Sequence, residues 1–329
     1  MEETVDPITI QMAPAARRVA EQVMAIKPGE QILVITDSER PSTITQALLS
    51  AVASVAGETI LLTMKARAMG GVEPPPTVAA AMLAADAVLL QTSYATFHTN
   101  AARAAMAKGV RICDMWGFDE EMMLRGGINA DYDEVRRISE RLAGLMQGAK
   151  RARLTTPEGT DLTVSLEGRK VLTLVGMARV SGENCALPDG EAVVSPAEGS
   201  AEGVLVNPFT IEKREIGFPK EPVRVEVRQG RISSITGGYE ASFLAEVVEK
   251  AGPTARNIAE FALGTNPECH LGTKLREAKK AWGSAHIGIG DSKSIGGSVD
   301  SPLHIDLIFR NPTVTVDETV LVKDGKVVA

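Results

Sequence analysis

Short apolar runs alternate with amphipathic stretches over the first 150 residues of the chain. Residues 13–26 carry apolar positions at helical spacing and stop at Lys27-Pro28-Gly29. The runs at 31–36, 59–63, 87–91 and 110–113 suit buried strands, and the stretches at 42–55, 78–85 and 100–108 suit helices. Strands alternating with helices predict a mostly parallel sheet covered on both faces. Residues 131–150 form a long amphipathic helix that closes this unit.

The texture then changes. Short runs at 151–155, 162–166, 170–174, 203–206, 223–227 and 231–233 are separated by Gly-containing turns. Two helices are predicted, at 239–251 and 255–263, on either side of Gly252-Pro253. Strands at 285–290 and 303–309 and a terminal hairpin follow. The pattern predicts an α/β N-terminal domain with a mostly parallel sheet over 1–150. An α+β domain with a mostly antiparallel sheet follows over 151–329.

Period-two alternation in the last pair of strands separates chemistry from core. Leu303, Ile305, Leu307 and Phe309 share one face, and His304 and Asp306 the other. Ala285, Ile287 and Ile289 share a face, and His286 shares its own only with Gly288 and Gly290. An imidazole and a carboxylate thus point into one cleared space, as a metal site or an acid/base pair requires. Gly296-Gly297 and Ser301-Pro302 lie in the connection, so the two strands can be neighbours. Two further carboxylates stand in unusual settings. Glu191 follows the Pro188-Asp189-Gly190 turn, and Glu260 sits in the predicted helix among apolar residues. A buried glutamate there needs a partner or a metal.

Composition narrows the classes. The 329 residues are 44% hydrophobic and 23% charged, the balance of a globular protein. With 35 basic and 42 acidic residues, a net charge of −7 and no basic block, nucleic-acid binding is not expected. No apolar run reaches membrane-spanning length, and the N-terminus lacks a signal-peptide pattern. Cys113, Cys185 and Cys269 are too scattered for a zinc pattern or a disulfide framework, so a cytoplasmic location is expected. The first strand is followed by TDSERPS, with no glycine-rich nucleotide fingerprint.

Leu-Pro-Asp-Gly-Glu, Ala-Glu-Gly-Ser-Ala-Glu-Gly-Val, Ala-Glu-Phe-Ala-Leu-Gly-Thr-Asn, Ala-His-Ile-Gly-Ile-Gly and His-Ile-Asp occur in that order. Together they resemble the aminopeptidase T family of metallopeptidases (the M29 peptidases), over roughly residues 180–310. The resemblance implies two divalent ions, zinc, cobalt or manganese, held by Glu191, Glu260, His286, His304 and Asp306. It implies a metallo-aminopeptidase-like hydrolase cleaving an amide bond in a peptide or small molecule, with Glu191 or Glu260 relaying a proton, and a homodimer. His98 and Trp116 are expected to wall the cleft. The family's tyrosine after the first histidine is missing from Asp291-Ser292-Lys293-Ser294, where Lys293 is the available substrate-binding charge. The chain is also similar to a sister group, the 2,5-dihydroxypyridine dioxygenases. That likeness implies a single Fe(II) on two histidines and an aspartate, with the first of those histidines falling at Glu260. His270 is a possible substitute ligand. A third reading is a metal-binding homologue without turnover.

Overall fold

The computed structural model describes residues 6–272 and 274–329. In chain order the strands are β1 (Gln31–Asp37), β2 (Glu58–Met64), β3 (Ala87–Gln91), β4 (Arg111–Asp114), β5 (Arg151–Thr155), β6 (Asp161–Ser165), β7 (Val171–Leu174), β8 (Asn184–Ala186), β9 (Glu191–Val194) and β10 (Glu202–Val206). They continue with β11 (Thr210–Ile211), β12 (Val223–Arg228), β13 (Arg231–Gly237), β14 (Ile258–Gly264), β15 (Ala285–Gly290), β16 (His304–Phe309), β17 (Thr313–Val316), β18 (Thr319–Lys323) and β19 (Lys326–Val327).

The chain divides into two compact units, but not at residue 150. Among the described residues, the first comprises those up to 132 and 175–189, the second 133–174 and those from 190 on. The difference from the expected 1–150 and 151–329 has a simple cause. The chain leaves the first unit with the helix Tyr132–Met146 and later returns. On its return β8 adds in parallel to β4, pairing Ile112 with Asn184 and Cys113 with Cys185. A three-residue strand after the second unit has begun carries no periodicity that would announce this.

The first unit holds one parallel sheet, ordered β2-β1-β3-β4-β8. β3 and β4 are wholly buried, which is why they read as continuous apolar runs rather than alternating ones. At the carboxyl ends the polar groups are consumed internally. Asp37 accepts from the Ser93 amide at 2.6 Å and the Ser93 hydroxyl at 2.8 Å. Asp114 accepts from the amides of Thr96, Phe97 and Trp116.

The second unit contains two antiparallel sheets. One has the order β13-β12-β10-β6-β5-β17-β18-β19, the other β11-β16-β15-β14-β9-β7. Side chains of both enter one hydrophobic cluster. From the first come Leu154, Leu162 and Val225, and from the second Phe261, Leu263, Ile287, Ile289, Leu307 and Phe309. The α/β plus α+β expectation therefore holds.

One element departs from its periodicity. In place of the helix expected over 255–263, Ile258–Gly264 is a strand with all seven residues buried. It lies between β15 and β9, paired with both. Ala, Glu and Leu favour a helix locally, and burial on both faces removes the alternation that betrays a strand. A bulge adds to the disguise. Ile258 pairs with Ile289, yet Glu260 pairs with Gly288, leaving Ala259 as the extra residue. Ile258 thus faces the core, while Glu260, two positions on, faces the other side.

The connection between β15 and β16 is tied down. The Ser298 amide and hydroxyl both donate to Glu198 at 2.9 Å, and Arg169 donates to the same carboxylate through two nitrogens. Burial opposes ionisation of Glu198, but these bonds outweigh it and lower its pKa from 4.5 to about 2.

Two outcomes follow for stability. Phe261→Ala, at a fully buried core position, is expected to cost about 3–5 kcal/mol. Urea unfolding checks this, with the midpoint falling at constant slope. Glu198→Gln is expected to cost only about 1 kcal/mol at neutral pH, because the pair is partly solvated. A depressed folded pKa stabilises above the unfolded value. The gap between variant and wild type should therefore close as pH falls from 4.5 towards about 2. A gap that widens on acidification would contradict the assignment.

Candidate metal centre

The site is one face of the six-stranded sheet of the second unit. The face opposite the core carries Glu191 on β9, Glu260 on β14, His286 on β15, and His304 and Asp306 on β16. Register sets Glu260, Gly288 and Asp306 side by side across three strands. Gly290 lies opposite His304, and Gly264 opposite Glu191. Small residues clear the floor on which the larger groups converge. A Cβ at Gly288 would lie 2.6 Å from the Glu260 Cβ and 3.0 Å from both Asp306 Oδ1 and His304 Cε1. No side chain fits there without displacing those groups.

Two overlapping sets of potential ligands result, each with its atoms within 4.8 Å of one another. One is Glu260, His304 and Asp306. The other is Glu191, Glu260 and His286. His304 Nε2 lies 3.1 Å from Glu260 Oε2 and 3.1 Å from Asp306 Oδ1. Its Nδ1 is 2.7 Å from the Asp291 carbonyl oxygen. A carbonyl can only accept, so Nδ1 carries a hydrogen and donates it. In the neutral ring Nε2 is then a lone pair facing two carboxylate oxygens. Burial opposes the charged ring, but Asp306 and Glu260 raise its pKa well above the ordinary value, so a proton sits among the three acceptors and a bound metal ion would take its place. His304 keeps 30% of its side chain accessible, whereas Asp306 and Glu260 are buried.

His286 is fully buried, with Nε2 at 3.0 Å from Glu260 Oε1 and 3.3 Å from Glu191 Oε2. Its Nδ1 finds no hydrogen-bond partner among the described residues, and neither does Glu191 Oε2. Two lysines that the sequence did not single out complete the cluster. Lys280 Nζ is 2.6 Å from Glu191 Oε1. Lys279 Nζ lies 2.8 Å from Asp306 Oδ2 and 2.6 Å from Glu212 Oε2. As an adjacent Lys-Lys pair they resemble a solvated surface, and only the fold turns both inward.

The charges act on one another. Burial works against ionisation of Asp306, but Lys279 and His304 hold its carboxyl well below the usual range. Burial likewise opposes the charged form of Glu191, and Lys280 overrides it and lowers that pKa. Glu212 goes the other way, raised first by burial. Burial would lower His286, yet the Glu191 and Glu260 carboxylates beside its Nε2 raise it to about 9. A bound metal ion would compete with that proton.

All five residues expected as ligands therefore converge. His270 lies outside both sets of ligand atoms. Lys293 is 65% exposed and pairs with Asp300 at 3.1 Å. His270 is exposed. His98 and Trp116 belong to the first unit. His98 lies just before the helix Asn100–Ala107, its ring against Phe97, and Trp116 follows β4, half-buried.

Residues 12–329 match the family of 2,5-dihydroxypyridine 5,6-dioxygenases (NicX). A 2,5-dihydroxypyridine 5,6-dioxygenase from Pseudomonas putida KT2440 is 26% identical over 200 residues. The match covers 56% of this chain and 56% of that relative, just over half its length. The solved structure of a 2,5-dihydroxypyridine dioxygenase from Pseudomonas putida KT2440 superposes with a TM-score of 0.80 at 21% identity, over 98% of each chain. Wild-type AmpT from Thermus thermophilus superposes with a TM-score of 0.69 at 16% identity, over 98% of this chain and 100% of that one. Both likenesses speak to the fold.

These matches overturn the expected aminopeptidase-like hydrolase and its zinc assignment, and with them the hydrolytic proton relay by Glu191 or Glu260. A carboxylate-rich face implies that a cation is held, not which reaction it serves. The likeness to both groups is real at the level of fold, but from residue 12 to residue 329 this chain belongs to the 2,5-dihydroxypyridine 5,6-dioxygenase family.

Proposed function

We propose that this chain is a non-haem iron dioxygenase that opens the ring of a small hydroxylated pyridine of the 2,5-dihydroxypyridine type. A single ferrous ion is held by Glu260, His304 and Asp306. The observation that carries the metal assignment is the convergence of three ligand atoms, one of them Nε2 of a histidine whose Nδ1 is held by the Asp291 carbonyl. Family membership carries the reaction class.

The set departs from the two histidines and one aspartate that the dioxygenase likeness implied, because Glu260 stands where a histidine was expected. An open, oxygen-rich set of one imidazole and two carboxylates still suits a divalent iron. Such an ion supplies free coordination positions and redox chemistry towards dioxygen. The protein's own residues do the rest. Lys279 binds Asp306 Oδ2 and leaves Oδ1 turned towards His304. The Asp291 carbonyl orients the imidazole, and Gly288 leaves room between the carboxylates. The partly accessible edge of His304 marks the open side.

Anaerobic loading with Fe(II), followed by 2,5-dihydroxypyridine and labelled dioxygen, tests the reading. The expected product has lost its ring absorbance and gained both oxygen atoms of one dioxygen. His304→Ala should lower kcat/KM by at least about a hundredfold. No uptake of dioxygen by the iron-loaded protein across a panel of hydroxypyridines would sink the assignment. Gly288→Ala should leave the protein folded and weaken metal retention about ten- to a hundredfold, measured as metal content after dialysis. Undiminished retention would show that the cradle is not where the ion sits.

A further inference from the structure

The cluster has room for more ligands than one ion uses. Glu191 and His286 form, with Glu260, a second set of ligand atoms beside the first. Both are buried, and neither Glu191 Oε2 nor His286 Nδ1 has a hydrogen-bond partner among the described residues. The two histidines are nonetheless built differently. The Asp291 carbonyl takes the Nδ1 hydrogen of His304, the support a metal-bound imidazole ordinarily has. His286 has no such acceptor among the described residues. Coordination through its Nε2 would leave a buried N–H without an acceptor, which is unfavourable. A cation already stands at the Glu191 end, the Lys280 ammonium at 2.6 Å.

We propose that the Lys280 ammonium takes the place of a second metal ion at the Glu191–His286 half of the cluster. It holds the centre to one ion, and its removal opens a second metal site. This rests on the reading above only in placing the single ion at Glu260, His304 and Asp306. Lys280 is thus a positioning residue that sets metal number. Glu191 and His286 are latent ligands for a divalent cation.

Titration of the full-length protein with Mn(II), followed by electron paramagnetic resonance, tests this without turnover. The wild type should bind a single ion per chain with the six-line spectrum of isolated Mn(II). Lys280→Met should bind two, with the broadened spectrum of a spin-coupled pair. Glu191→Gln in that background should return the count to one. Two ions in the wild type would overturn the proposal, as would one ion in Lys280→Met with an unchanged thermal melt. Should Lys280→Met fail to fold, Glu191→Gln alone decides. Retention of the single ion supports the proposal, and its loss makes Glu191 a ligand of that ion and refutes it. A wild type that takes up no ion overturns the metal reading as well. One ion without ring cleavage overturns the reaction and leaves this proposal standing.

Discussion

Several carboxylates are buried together on one face of an antiparallel sheet, and most of what is distinctive in the second unit answers that constraint. Removing a carboxylate from water costs several kcal/mol unless charge and hydrogen bonds compensate. Here the compensation is local. Lys279 lies between Asp306 and Glu212, Lys280 meets Glu191, and His304 stands between Glu260 and Asp306. The opposite face of the same strands is apolar, with Phe261, Ile287, Leu307 and Phe309 in the core. Rigid packing beneath fixes the spacing of the groups above, which a metal centre needs.

The same sheet shows how backbone detail becomes chemistry. Strict alternation would put Ile258 and Glu260 on one face. The bulge at Ala259 sends the first to the core and the second to the site. Gly288, between Glu260 and Asp306 in register, keeps the middle of the face empty. The tied connection from β15 to β16 brings the Asp291 carbonyl to His304 Nδ1. In the first unit polar groups at strand ends serve a different purpose, since Asp37 and Asp114 are engaged with neighbouring loops. Carboxylates at strand ends therefore mean nothing by themselves. Partners decide their role.

The relation to known proteins carries a similar lesson. Two groups with different chemistry share this fold with the chain. The motifs that suggested hydrolysis are present and do converge, yet the family match over 12–329 is to a dioxygenase. A cluster of carboxylates and imidazoles constrains charge, coordination and geometry. The reaction depends further on which ion is held and what is brought to it.

The sequence by itself determined the two kinds of architecture, the alternation of β15 and β16, and the five residues of the cluster. Each of these is encoded locally, as a period, a turn or a motif. Only the tertiary structure decided the rest. The strand character of Ile258–Gly264 comes from pairing with β9 and β15 on its two sides. The return of 175–189 to the first unit depends on a strand added across the chain. Lys279 and Lys280 become counter-ions because the fold carries them against Asp306 and Glu191, residues far from them in sequence. Long-range pairing and burial override local propensity in each case, because the energy of a buried charge or a central strand is set by neighbours the local sequence does not contain.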